Sequence, residues 1–211
     1  MIRKRKGRRK GGTEVAVATS TVARPKSNLP AYFQRLSGHQ KRIYLSSDAI
    51  DRFDLVPSPG ARRILAALMT ALESEEVARI GPHARALAAE VCRLLGVPPV
   101  DVQVRGVRPH NARGELHGLF YPYDRARRTP PHIILWMRTA QRHDVVKPKT
   151  FLRTLMHEVG HYLDYSLLRL GDSFHTAGFF KRESSLVRAL LTPPEQPQQL
   201  ALGGMYSDPR H

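Results

Sequence analysis

Residues 157–161 read His157-Glu158-Val159-Gly160-His161, an H-E-x-x-H run. Side chains four apart on a helix share a face, so both imidazoles can reach a single ion. Neutral imidazoles suit Zn²⁺ and hydrolysis needs no redox change, so Zn²⁺ is the expected cofactor. Glu158 directly follows the first histidine and lies beside that face. There it can take a proton from metal-bound water instead of ligating the metal. With 10 His and nine Glu in 211 residues, chance supplies roughly 0.02 copies of the run. Leu152, Leu155, Met156, Val159 and Leu163 surround it and would bury its helix. Two hydrogen-bonded core histidines are the lesser reading.

A catalytic zinc takes three protein ligands and keeps one position open. Two residues compete for the third place. His175 follows a helix stop expected at Gly171 and the stretch Asp172-Ser173-Phe174. The helix past His161 would carry the chain roughly 14 Å away, and an extended return of four or five residues covers about that distance. Glu183 lies on the next helix, on the side of Phe179, Phe180, Val187 and Leu190. An inward carboxylate needs a partner, which a metal, a ligating histidine or an arginine would supply. His175 is preferred. Asp164, seven residues after His157, faces the same side and is expected behind a ligand rather than on the metal. Tyr206, His132, His117 and Tyr162 are candidate donors to a developing oxyanion, each more readily structural.

The elements that position these residues can be read along the chain. Ala61–Leu72 carries Ile64, Leu65, Leu68 and Leu72 at helical spacing, and Leu29–Leu55 has weaker helical character. Gly81 and Pro82 read as a break, with Pro82 opening a second helix. Cys92 on that helix reads as a small buried hydrophobe, not a nucleophile. Val100–Val107, Glu115–Tyr123 and His132–Arg138 read as strands. Pro130 and Pro131 place the third at a sheet edge. Pro148 opens a long helix to Leu170, and a last helix covers Ala177–Leu191 before Pro193 and Pro194.

The net charge is +16. Residues 1–26 hold nine basic residues and one acidic residue, half of the excess. Residues 1–28 are expected to form a basic arm without fixed structure, 29–192 one domain, and 193–211 an irregular tail. The arm reads as a nucleic-acid contact or a solubilising tail, and less readily as a targeting segment carrying the Arg8-Arg9 pair. A single Cys excludes an internal disulfide, and the longest apolar run, Ile133–Met137, is too short to span a bilayer. A soluble cytoplasmic protein with no membrane partner is expected.

The segment from about residue 130 to 191 resembles the zincin metallopeptidases. His157-Glu158-x-x-His161, a helix ending at a glycine, and His175 followed four residues later by Phe179 resemble the SprT-like pattern, which implies His175 as third ligand. Thr176 stands where that pattern has Gly. A minimal gluzincin is the other resemblance and implies Glu183. The metzincin pattern is not met: it has Gly at position 164 and His at position 167, and this chain has Asp164 and Leu167. The resemblance implies an α+β fold with a small, mostly antiparallel sheet packed on the active helix. It also implies an edge strand, here His132–Arg138, that pairs with an extended substrate. The expected function is zinc-dependent peptide hydrolysis with Glu158 as general base, on proteins associated with nucleic acid. The rivals are a nucleic-acid-binding protein with a structural zinc, and an inactive zincin scaffold that binds a partner peptide.

Overall fold

Small polar residues open three of the helices in the computed structural model, which describes residues 29–111 and 114–193. The arm at 1–28, the tail from 194 and Tyr206 within it lie outside the described residues. Ser37 starts α1 (Gly38–Ala49) with a reciprocal box through Gln40. Ser58 caps α2 (Pro59–Glu73), accepting from the Ala61 N–H. α3 covers Val77–Leu94. After the strands, α4 (Pro148–Ser166) begins on its proline, and Thr176 caps α5 (Ala177–Leu191). The residue standing in place of the SprT-like Gly is therefore a helix cap.

The architecture is α+β, with a small mixed sheet. β1 (Asp101–Val107) pairs in parallel with β5 (His132–Arg138), and β4 (Gly118–Tyr121) pairs with β5 antiparallel. β2 (His110–Asn111) and β3 (Gly114–Glu115) form a separate small ribbon. The expected mostly antiparallel sheet is thus corrected to a mixed one. Its strand order is β1-β5-β4, so His132–Arg138 is the central strand rather than an edge. The reason is its composition: Ile133 to Met137 are all buried, as a strand covered on both faces requires. The free edge beside α4 belongs to β4. Val102, Ile133, Leu135 and Met137 of the sheet pack with Leu87 and Val91 of α3 and Leu152, Leu155, Met156 and Val159 of α4 into one core. Cys92 is buried there, and burial pushes its thiol up to about 11.

Three boundaries differ from the sequence reading. α3 starts five residues before Pro82, because Ile80 is fully buried and draws the preceding turn onto the core. The expected strand Glu115–Tyr123 is interrupted at Leu116 and His117 and continues as β4. α4 stops at Ser166, short of Leu170. Arg169 turns the chain at φ 57, a left-handed conformation more often given to glycine. The Leu170 N–H then donates to the Asp164 carbonyl. No described helix is long and apolar enough to cross a membrane.

Candidate metal centre

His157 and His161 sit one turn apart in the middle of α4, where the core side chains already fix the helix. The early turn at Arg169 brings the following loop back over this face and delivers His175 just before α5. The three Nε2 atoms converge: 3.0 Å from His157 to His175, 3.0 Å from His161 to His175, and 3.3 Å from His157 to His161. Among the described residues these three form a group with metal-binding spacing. Two nitrogens bound to one zinc at about 2.05 Å in tetrahedral geometry stand about 3.3 Å apart.

The other ring nitrogens decide which tautomer each histidine adopts. His157 Nδ1–H donates to Glu183 Oε2 at 2.9 Å. Ser173 Oγ donates to Asp164 Oδ2 at 2.7 Å, so it must accept from His161 Nδ1–H at 2.7 Å. Both histidines then aim bare Nε2 lone pairs into the same space. Two acceptors 3.3 Å apart repel unless a cation, or a proton on the adjacent His175 Nε2, lies between them. Burial lowers the His161 imidazole to about 3 and moves the His175 imidazole below its ordinary value, which favours in both the neutral form that can bind a metal. The donor set therefore fits a dication such as Zn²⁺.

A buried chain of polar groups supports His161 from behind. Asp164 Oδ1 accepts from the Arg182 guanidinium at 2.8 Å, and both residues are buried. Arg182 also donates to the Ser47 and Ile50 carbonyls at 2.5 and 2.6 Å, which ties α5 to the end of α1. Burial raises the Asp164 carboxyl, with Arg182 and the Ser173 hydroxyl opposing the rise. The Arg182 guanidinium thus donates to one Asp164 oxygen and the Ser173 hydroxyl to the other. The Phe179 ring lies on His161, with centroids 4.5 Å apart, and edge-on to His157 at 5.0 Å. Gly160 leaves it that room.

Glu158 packs against the start of β4. A Cβ on Gly118 would stand 2.6 Å from Glu158 Oε1 and 2.8 Å from its Cγ, so only glycine fits there. The Phe120 backbone N–H faces the carboxylate and favours its charged form. Burial pushes the carboxyl up to about 7, against the opposing pull of His157 and that backbone N–H.

Of the two third-ligand candidates, His175 stands in the histidine cluster. Glu183 is buried behind His157, with Arg153 Nε 3.5 Å from its second oxygen. Asp164 reaches His161 through Ser173. Tyr162 donates to the Pro98 carbonyl at 2.8 Å, and His132 stacks on Tyr121 with Nδ1 3.1 Å from the Pro130 carbonyl. His117 is exposed, and its carbonyl accepts from Trp136 N–H. Sequence reasoning missed Ser173, Arg182 and Gly118. A glycine inside a candidate strand was the one available signal, for close approach at Gly118. Family models, curated proteins and solved structures were all compared with this chain, and none matches.

Proposed function

We propose that this chain is a zinc-dependent peptidase of zincin-like architecture, with His157, His161 and His175 as the metal ligands and Glu158 as the general base. The observation that carries the reading is the pair of outward-held Nδ1–H groups, which leave nitrogen lone pairs converging at zinc spacing beside a buried carboxylate. When bound, Zn²⁺ supplies Lewis acidity toward water and the scissile carbonyl. Glu158 accepts the proton of the attacking water and returns it to the leaving amine. Its carboxylate is held between α4 and the start of β4 by Gly118 and the Phe120 N–H. β4 is an edge strand, and an extended peptide that adds to it would bring its backbone past Glu158. A closed structural zinc with Glu183 as fourth ligand is disfavoured because Glu183 is engaged at His157 Nδ1. The excess charge of residues 1–26 supports substrates associated with nucleic acid.

The purified chain is expected to hold about one zinc and to cleave a random peptide library. Cleavage should stop on chelation and return when zinc alone is restored. Stoichiometric zinc without any cleavage would move the reading to a structural metal.

Gly118→Ala gives a geometric test. The added methyl must displace the Glu158 carboxylate from its place. A shift of about 1 Å at a catalytic group costs on the order of 10²-fold in rate. Zinc content and melting temperature should stay close to the parent. Full turnover in the Gly118→Ala variant would mean that Glu158 is not held by this contact in the working state.

A further inference from the structure

The ribbon formed by β4 and β5 continues past the end of β4. Gly118 pairs with Leu135 and Tyr121 with His132. Three residues further along each strand, Asp124 bridges Thr129, so the register is unbroken. Reciprocal backbone bonds of 3.1 and 3.2 Å close this last pair. The tip beyond it is Arg125-Ala126-Arg127-Arg128, three arginines in four residues, all of them exposed. Asp124 is the acid nearest the tip, and its Oδ1 is taken up inside the turn by the Ala126 and Arg127 N–H groups at 2.8 and 3.1 Å. The tip is therefore shaped from within, and it carries three arginines against one carboxylate. Arg127 stands 3.7 Å from Asp124 with its side chain largely in water. Arg128 holds φ 54, where a glycine would be less strained.

This tip lies on the same strand that flanks the general base. Gly118 touches Glu158, and Arg125 comes seven residues later, roughly 20 Å along the ribbon. A peptide laid against the β4 edge runs beside that ribbon, so residues about six positions from the scissile bond meet the tip. Tyr121 and Tyr123 are exposed on the way and offer flat surfaces to the same chain.

We propose that Arg125, Arg127 and Arg128 form a substrate-reading site that selects polypeptides with a cluster of Asp or Glu about six residues to one side of the cut. The proposal rests on the peptidase reading above and names its substrate class. Guanidinium forks match carboxylates in geometry as well as charge. A single exposed ion pair is worth up to about fivefold in affinity. Three together raise the encounter rate with acidic chains and make it sensitive to salt. A polypeptide is favoured over a nucleic acid because the tip continues an edge whose unpaired backbone groups match another peptide backbone.

The test uses the full chain loaded with zinc and two peptide libraries. Both have the same randomised centre, flanked six residues away on either side by three Glu or by three Lys. The Glu library should be cut about tenfold faster at low salt, mostly through KM, with the two libraries approaching parity in 0.5 M NaCl. The triple variant Arg125→Glu, Arg127→Glu, Arg128→Glu should reverse the preference, and the triple Arg→Lys variant should keep its direction. Zinc content and melting temperature establish that each variant is folded. Equal cleavage of both libraries by the parent chain overturns the proposal and leaves the peptidase reading standing. An unreversed preference in the Glu variant also overturns it. Loss of labelled single-stranded oligonucleotide binding in that variant, with the library preference unchanged, would reassign the tip to nucleic acid. Failure of the parent chain to cut either library, or unflanked peptides, sinks the peptidase reading itself.

Discussion

Replacing Glu158 with Gln is expected to lower peptide hydrolysis by a factor of about 10² to 10⁴, the usual contribution of a positioned general acid–base. Zinc content should be unchanged, because Glu158 is not among the three converging ligands. The variant is well suited to separate chemistry from folding. Gln fills the same volume against Gly118, and its amide oxygen can still accept the Phe120 N–H. What it cannot do is take a proton from water. The environment of the carboxyl supports this role. Burial pushes it up to about 7, and a dication held by the neighbouring imidazoles would pull it back toward the carboxylate form. Turnover and elemental zinc should be measured on the same preparation. Turnover within tenfold of the parent would mean that another group accepts the proton and that Glu158 is only a buried acid.

The parts of this site that could be read from the sequence are those set by local spacing. His157 and His161 share a face because four residues make about one helical turn. β5 and α5 have the boundaries expected, because prolines before β5 and both Thr176 and Pro193 around α5 punctuate those segments. The remainder depends on tertiary contacts. The place of β4 at a sheet edge was hidden because Glu115–Tyr123 reads as one strand, whereas the fold interrupts it at Leu116 and His117 and pairs only the second half with β5. The central place of β5 needs the parallel pairing with β1, which joins residues about thirty positions apart and has no local signature. Gly171 attracted the helix stop, yet Arg169 makes the turn. That displacement matters for function: a helix shorter by a turn leaves more chain to carry His175 back to the cluster. The support behind His161 is the least readable part. Ser173, Asp164 and Arg182 come from a loop and two helices, and Arg182 looks like one more surface cation until the fold buries it on the carbonyls of Ser47 and Ile50.

The choice between His175 and Glu183 leads to the second large expected effect. His175→Ala should lose stoichiometric zinc altogether, because it removes one of three nitrogens that stand 3.0 to 3.3 Å apart and leaves two where a catalytic zinc takes three protein ligands. Glu183→Ala should behave differently. It removes the acceptor at His157 Nδ1, so the ring loses its fixed tautomer and orientation, but all three Nε2 atoms remain. Loss of such a supporting bond weakens metal binding by about 10- to 100-fold. Zinc should still fill the site at saturating metal and dissociate as free zinc is buffered downward. Glu183→Gln keeps an acceptor for the Nδ1–H and should fall between the parent and the alanine variant. Arg153, largely exposed, loses little when its carboxylate partner goes, so the fold should survive all three changes. A zinc titration against a competing chelator measures all of these on one scale. The opposite order, with zinc abolished by Glu183→Ala and retained by His175→Ala, would make Glu183 the ligand and require α5 to rotate its carboxylate from the back of His157 into the cluster. In the geometry observed, that rotation would leave the His157 Nδ1–H without its partner, so the same residue cannot hold the ring and the metal at once.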